Sequence, residues 1–114
     1  MRSAPNNGFF SNFKIVNIVE QNIEQVKQLC RSHHVDKLYL FGSFLSGKSN
    51  DASDIDLLVR FGNVDLYHYL DNYLNLKASF ESLFHKPVDL VEEQTVKNPI
   101  LKSSIERSKK LIYG

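Results

Sequence analysis

Three aspartates and one glycine–serine pair are the residues of this chain whose types and spacing can do chemistry. Asp54 and Asp56 stand two apart in Asp54-Ile55-Asp56-Leu57-Leu58-Val59, and side chains two apart on a strand share a face. Two carboxylates held that close repel unless something positive lies between them. A hard divalent cation fits, because it takes oxygen ligands and accepts carboxylates beside substrate phosphates. The alternative is a pair of solvated acids at a strand end. Asp89 interrupts the apolar run Val88-Asp89-Leu90-Val91. If its strand neighbours that of Asp56, three carboxylates converge, a ligand set for two metals that clamp both oxygens of an in-line phosphoryl displacement. Asp89 is then also placed to take a proton from an incoming hydroxyl. A strand-end Asp capping a neighbouring amide is the plainer reading. Gly42-Ser43 supplies the anion side, since glycine permits close backbone approach and a helical turn starting there aims free amides at a phosphate. Alone, that pair is ordinary turn chemistry.

These residues need strands to carry them. Leu38-Tyr39-Leu40-Phe41 is a short apolar run stopped by Gly42, which predicts a buried strand ending at the Gly-Ser pair. Gly42 to Ser53 is polar loop, and residues 54–61 read as a second strand. Val88 to Val91 is the third. Between and around them lie helices. Ile15, Val19, Ile23, Val26 and Cys30 form one stripe of an amphipathic helix. Leu66, Leu70, Tyr73, Leu74, Lys77, Phe80, Leu83 and Phe84 form a face of a long one, with Lys77 burying its stem. Lys86-Pro87 ends it. Asn98-Pro99 opens a last helix whose apolar side is Ile100, Leu101, Ile105, Leu111 and Ile112. The order predicts an α/β (α+β) domain with a small mixed sheet flanked by helices, occupying residues 13–114 behind a leader of residues 1–12.

Composition bounds the rest. With 114 residues there is room for one core, and 42% hydrophobic residues suffice for it. A net charge of +1 argues against a protein built to neutralise a nucleic-acid backbone, so no direct nucleic-acid binding is expected. One cysteine, Cys30, allows no internal disulfide and reads as a small buried hydrophobe. No run reaches the roughly 18 apolar residues of a membrane span, and the leader lacks the apolar core of a secretory signal, so a cytoplasmic location is expected.

Gly42-Ser43, ten intervening residues and Asp54-Ile55-Asp56-Leu57-Leu58-Val59 resemble the signature of the DNA polymerase beta-like nucleotidyltransferase superfamily. The chain's length, Pro87-Val88-Asp89-Leu90-Val91 and the closing Ile112-Tyr113-Gly114 resemble its minimal members, the MNT-domain proteins. The resemblance implies that ATP is bound with Mg²⁺, at two metal positions, and that AMP passes to a hydroxyl with release of pyrophosphate. It implies Asp54 and Asp56 as metal ligands, Asp89 as third ligand and base, and Gly42, Ser43, Lys48 and Ser53 around the triphosphate. Many minimal members carry a basic residue before the loop's second glycine; here Ser46 stands before Gly47, and Lys48 follows. MNT proteins are often antitoxins that transfer AMP to a tyrosine of a HEPN-type toxin, so a protein adenylyltransferase acting on such a partner is what the resemblance implies, in a homo- or hetero-oligomer. A non-catalytic module that blocks its partner by occlusion, and a transferase for a small molecule or RNA, are the alternatives.

Other candidates are weaker. His33, His34, His68 and His85 lack zinc-site spacing. Tyr67, Tyr69, Tyr73, Phe80 and Phe84 read as core, although exposed tyrosines on that helix would suggest a protein interface. Lys97, Lys102, Arg107, Lys109 and Lys110, opposed by Glu106, predict a basic solvated face.

Overall fold

The computed structural model describes residues 18–41 and 55–114. In chain order the elements are α1 (Ile23–Ser32), β1 (Val35–Phe41), β2 (Ile55–Phe61), α2 (Leu66–Phe84), β3 (Val88–Glu92), a 3₁₀ turn (Glu93–Thr95), α3 (Pro99–Ser108) and β4 (Lys110–Tyr113). They form a four-stranded mixed sheet in the order β3-β2-β1-β4. β1 is antiparallel to both β2 and β4, whereas β2 and β3 are parallel. The parallel pair needs a crossover, and α2 is that crossover.

The core lies between the sheet and the helices α1 and α2. Val19, Val26 and Cys30 are fully buried against Leu38, Leu40, Leu57 and Val59 from the strands and Leu76 and Phe80 from α2. Of the predicted stripe of the first helix, Val19, Val26 and Cys30 face the sheet as expected, Ile23 is only half-buried, and Ile15 lies outside the described residues. Burial pushes the Cys30 thiol up to about 12, which makes it the inert hydrophobe its isolation suggested. α2 starts at Asp65, whose carboxylate accepts the Tyr67 N–H, and ends at His85 in the left-handed region with φ 57°. Asn98 caps α3 by accepting the N–H groups of Ile100 and Leu101, with Pro99 in the first turn.

Two helix expectations are corrected. The last helix does not run to Ile112: it stops at Ser108, and Leu111 and Ile112 belong to β4. Lys109 is already extended, and Lys110, Leu111 and Tyr113 pair with Leu40, Tyr39 and Leu38. The free edge of β1 offers ladder hydrogen bonds that another helical turn could not supply.

The face that α2 buries also differs. Leu76, Phe80 and Phe84 are buried, with Tyr69, Tyr73 and Leu83 packed beside them. Leu66, Leu70 and Leu74 remain exposed, at 87%, 62% and 49%. Tyr67, grouped with the core aromatics by sequence, is 88% exposed. The helix carries two apolar stripes, and the ring-bearing one wins the sheet because aromatic rings bury the larger area. Phe80 and Phe84 stack at 5.8 Å, and Tyr69 meets Phe61 edge-on at 5.5 Å. Among the described residues, no helix is long and apolar enough to cross a membrane.

Candidate active site

The strands place two of the three predicted acids side by side. In the parallel ladder Asp56 pairs with Asp89, and in the antiparallel ladder Asp56 pairs with Phe41, so Phe41, Asp56 and Asp89 form a row across three strands. Strand alternation sets their face. Ile55, Leu57 and Val59 of β2, with Val88 and Leu90 of β3, enter the core beneath α1 and α2. Asp56 and Leu58, with Asp89 and Val91, therefore point to the opposite side. There α3 packs over Leu58 through Ile105, and Lys109 lies 4.2 Å from the centre of the Tyr39 ring. The acidic row lies at the β3 and β2 starts, beyond this cover.

Asp56 is half-buried and Asp89 is exposed. The apolar run around Asp89 does not bury it: β3 is an edge strand, and its outer face at position 89 meets solvent. Gly42, Ser43, Lys48, Ser53 and Asp54 lie outside the described residues. Among the described residues no group of three His, Cys, Asp or Glu side chains is arranged to hold a metal. The pair present offers hard carboxylate oxygens and no soft donor, a chemistry that suits Mg²⁺ and not a thiolate-seeking metal.

Two residues of α2 fix the strand that carries Asp89. The Glu81 carboxylate accepts the Val88 N–H at 2.9 Å, and the Tyr73 hydroxyl donates to the Leu90 carbonyl. Val88 and Leu90 flank Asp89, so the unpaired edge of β3 is tied down on both sides of the acid. That backbone bond, then the Lys77 ammonium, holds the Glu81 carboxyl below the usual carboxylate range. Sequence reasoning gave neither residue a role at the site, because both act through an edge that exists only once α2 has folded back on β3.

Of the predicted basic face, Lys97, Lys102, Arg107 and Lys110 are exposed as expected, whereas Lys109 is half-buried, and two of the lysines are ion-paired. Lys109 reaches Glu106 at 3.0 Å and Glu93 at 3.5 Å, and Lys110 reaches Glu20 at 3.3 Å. Desolvation alone would lower the Lys109 ammonium; the Glu106 hydrogen bond, Tyr39 and the two acids outweigh it and raise it. The His33 ring contacts the Leu29 carbonyl at 2.8 Å at the end of α1, a helix-end role as expected.

The polymerase beta nucleotidyltransferase family model matches residues 24–114, a span that holds every described strand and both register-matched acids. The chain belongs to the polymerase beta nucleotidyltransferase family. Among its relatives, a Methanocaldococcus jannaschii protein with the provisional name protein adenylyltransferase is 32% identical over 101 residues, which cover 82% of this chain and 98% of that protein. A solved structure provisionally described as a minimal nucleotidyltransferase superposes with a TM-score of 0.68 at 26% identity, over 95% of this chain and 98% of that one. A crystal structure of a toxin–antitoxin with AMP-PNP matches with a TM-score of 0.62 at 25% identity, over 82% of this chain and 73% of its counterpart. The expected α/β nucleotidyltransferase fold is thereby established, and this nucleotidyltransferase adds β4 to the strands read from its sequence.

Proposed function

We propose that this nucleotidyltransferase is a protein adenylyltransferase, the antitoxin of a HEPN-type toxin, and that it transfers AMP from ATP to a tyrosine hydroxyl of that partner. The observation that carries the reading is the register match of Asp56 and Asp89 on neighbouring parallel strands of a nucleotidyltransferase domain. The relative's name and the AMP-PNP-bound toxin–antitoxin support the protein acceptor and the adenine nucleotide.

In the reaction the tyrosine oxygen attacks the α-phosphorus of ATP, a P–O bond forms, and the bond to the β-phosphate oxygen breaks. Pyrophosphate leaves with the electron pair. Asp89, solvent-facing on the outer strand, takes the phenolic proton. Asp56, with Asp54 two residues before it, and Asp89 would hold Mg²⁺, which would supply neutralisation of the charge developing on the phosphates. Gly42 and Ser43, next in the chain after Phe41, supply amide and hydroxyl donors to the triphosphate, with Lys48 and Ser53 assisting.

Intact-mass analysis of the protein encoded beside this gene, the candidate toxin, incubated with this chain, ATP and Mg²⁺, tests the reading. A gain of one or more AMP masses on that protein is the expected result. A stable complex without any mass gain would favour occlusion, and neither complex nor mass gain would point to a small-molecule or RNA acceptor.

A further inference from the structure

α2 exposes an apolar stripe that the fold does not use. Leu66, Leu70 and Leu74 stand on successive turns, with Tyr67 beside them. Farther along the same side the stripe turns ionic, with Lys77 and Glu81 paired at 3.2 Å. Leu70 is also one wall of a groove of about 380 Å³ between α2 and β3, whose other walls include Tyr73, Val91 and Glu92. A single exposed leucine means little, but a row that runs into a groove marks an interaction surface.

Two features define what fits there. First, strand addition is hindered. Three outward backbone groups of β3 are already taken: the Val88 N–H by the Glu81 carboxylate, the Leu90 carbonyl by the Tyr73 hydroxyl, and the Glu92 carbonyl by the Thr95 hydroxyl at 2.8 Å. A partner is therefore better placed to engage side chains, as a helix laid on an apolar groove does. Second, the groove holds a charge. Glu92 is only 9% exposed and forms no ion pair among the described residues; its carboxylate accepts the Gln94 backbone N–H. Burial raises its carboxyl above the ordinary value, so the fold tolerates this anion against its own stability. A second copy of the chain would bring no free basic residue on the matching stripe, and Glu92 would be buried uncompensated.

We infer that the Leu66–Leu70–Leu74 stripe and the adjoining Glu92 groove form the docking surface for the adenylylated protein, which presents an apolar helix face carrying one lysine or arginine. Hydrophobic contact along the stripe supplies affinity, and the basic side chain pairs with Glu92 and fixes the register. Glu92 lies three residues beyond Asp89 on the same strand, about 10 Å along it. The groove follows the outer edge of β3, so a helix seated in it lies along the strand that carries Asp89. This inference rests on the proposed protein acceptor.

The test uses the full chain and the purified candidate toxin encoded beside its gene, with binding measured by calorimetry and transfer by intact mass. Leu66→Asp/Leu70→Asp, at exposed positions that leave folding intact, is expected to weaken binding about thirtyfold or more. Glu92→Gln is expected to weaken it about tenfold while raising the melting temperature at pH 7.5, a combination that a merely structural glutamate would not give. Asp89→Asn is expected to bind as the wild type does. Wild-type affinity in the leucine variant, with transfer intact, would overturn the docking surface and leave the proposed function standing. Wild-type chain that neither binds nor modifies the neighbour would overturn both. Sedimentation showing a dimer that the leucine variant dissociates would assign the stripe to a second copy instead, overturning the inference.

Discussion

The Tyr73 hydroxyl on α2 donates to the Leu90 carbonyl on β3, one residue beyond Asp89. With Glu81 bound to the Val88 N–H on the other side, the crossover helix grips the edge strand on both sides of the acid it presents. The sheet alone leaves that edge without partners, so the precision of the Asp56–Asp89 pair depends on α2 as well as on the β2 ladder.

Tyr73→Phe keeps the ring in the core margin and removes only the hydroxyl. The Leu90 carbonyl is left partly unsatisfied, which costs about 1–2 kcal/mol. Urea titration should show that loss with an unchanged slope. AMP transfer should fall several-fold in rate with little change in the KM for ATP, because Asp89 is less well held while the nucleotide groups are untouched.

The Glu81 bond makes a pH prediction. Its carboxyl sits below the ordinary value in the folded chain, chiefly through the Val88 N–H and then through Lys77. A depressed folded value means that the stabilising contribution is complete above the unfolded value of about 4.5 and disappears as pH falls through the lower, folded value. Thermal melts of the wild type and Glu81→Gln should therefore differ in slope below pH 4.5 and run parallel above pH 6.

How far these relationships are legible in the sequence depends on how local they are. Capping at Asn98-Pro99 and the strand character of residues 54–61 are decided by near neighbours; the cap appears where the sequence predicts it, and the strand does over residues 55–61, while Gly42 and Asp54 lie outside the described residues. The pairing of Asp56 with Asp89 needed one added premise, that two strands adjoin, and a parallel β2–β3 ladder satisfies it. β4 was missed because Leu111 and Ile112 suit either a helix face or a strand, and only the free edge of β1 decides between them. The buried side of α2 was misread because two apolar stripes overlap in Leu66 to Leu74, and a one-dimensional pattern does not say which one meets the sheet.

Phe80 is the most informative core residue to remove. It is fully buried in the cluster that joins α1, α2 and the sheet, and its ring stacks on Phe84. Phe80→Ala should cost about 3–5 kcal/mol, a large fraction of the stability of a domain this size. Chemical denaturation followed by circular dichroism gives the value, and a loss under 1 kcal/mol would contradict the packing described.

Cys30 provides a probe that needs no mutation. Its thiol is fully buried and raised to about 12, so the native chain at pH 8 should not react with a thiol reagent over minutes. In guanidinium chloride one equivalent should react at once. Rapid labelling of the native chain would place α1 away from the sheet.

The central claim is that Asp56 and Asp89 act as one constellation. Single-turnover transfer of AMP to the candidate toxin, followed by intact mass for the wild type, Asp56→Asn and Asp89→Asn, tests it most directly. Each variant should lose transfer by more than about a hundredfold, since even residues that only support metal ligands cost about 10–100-fold. The double variant should be hardly worse than either single one, as groups that work as a unit are strongly non-additive. Melting temperatures should stay close to the wild type, because Asp89 is exposed, Asp56 is only half-buried and asparagine keeps the shape of each side chain. Transfer at wild-type rate in either single variant, with the chain folded, would contradict the account.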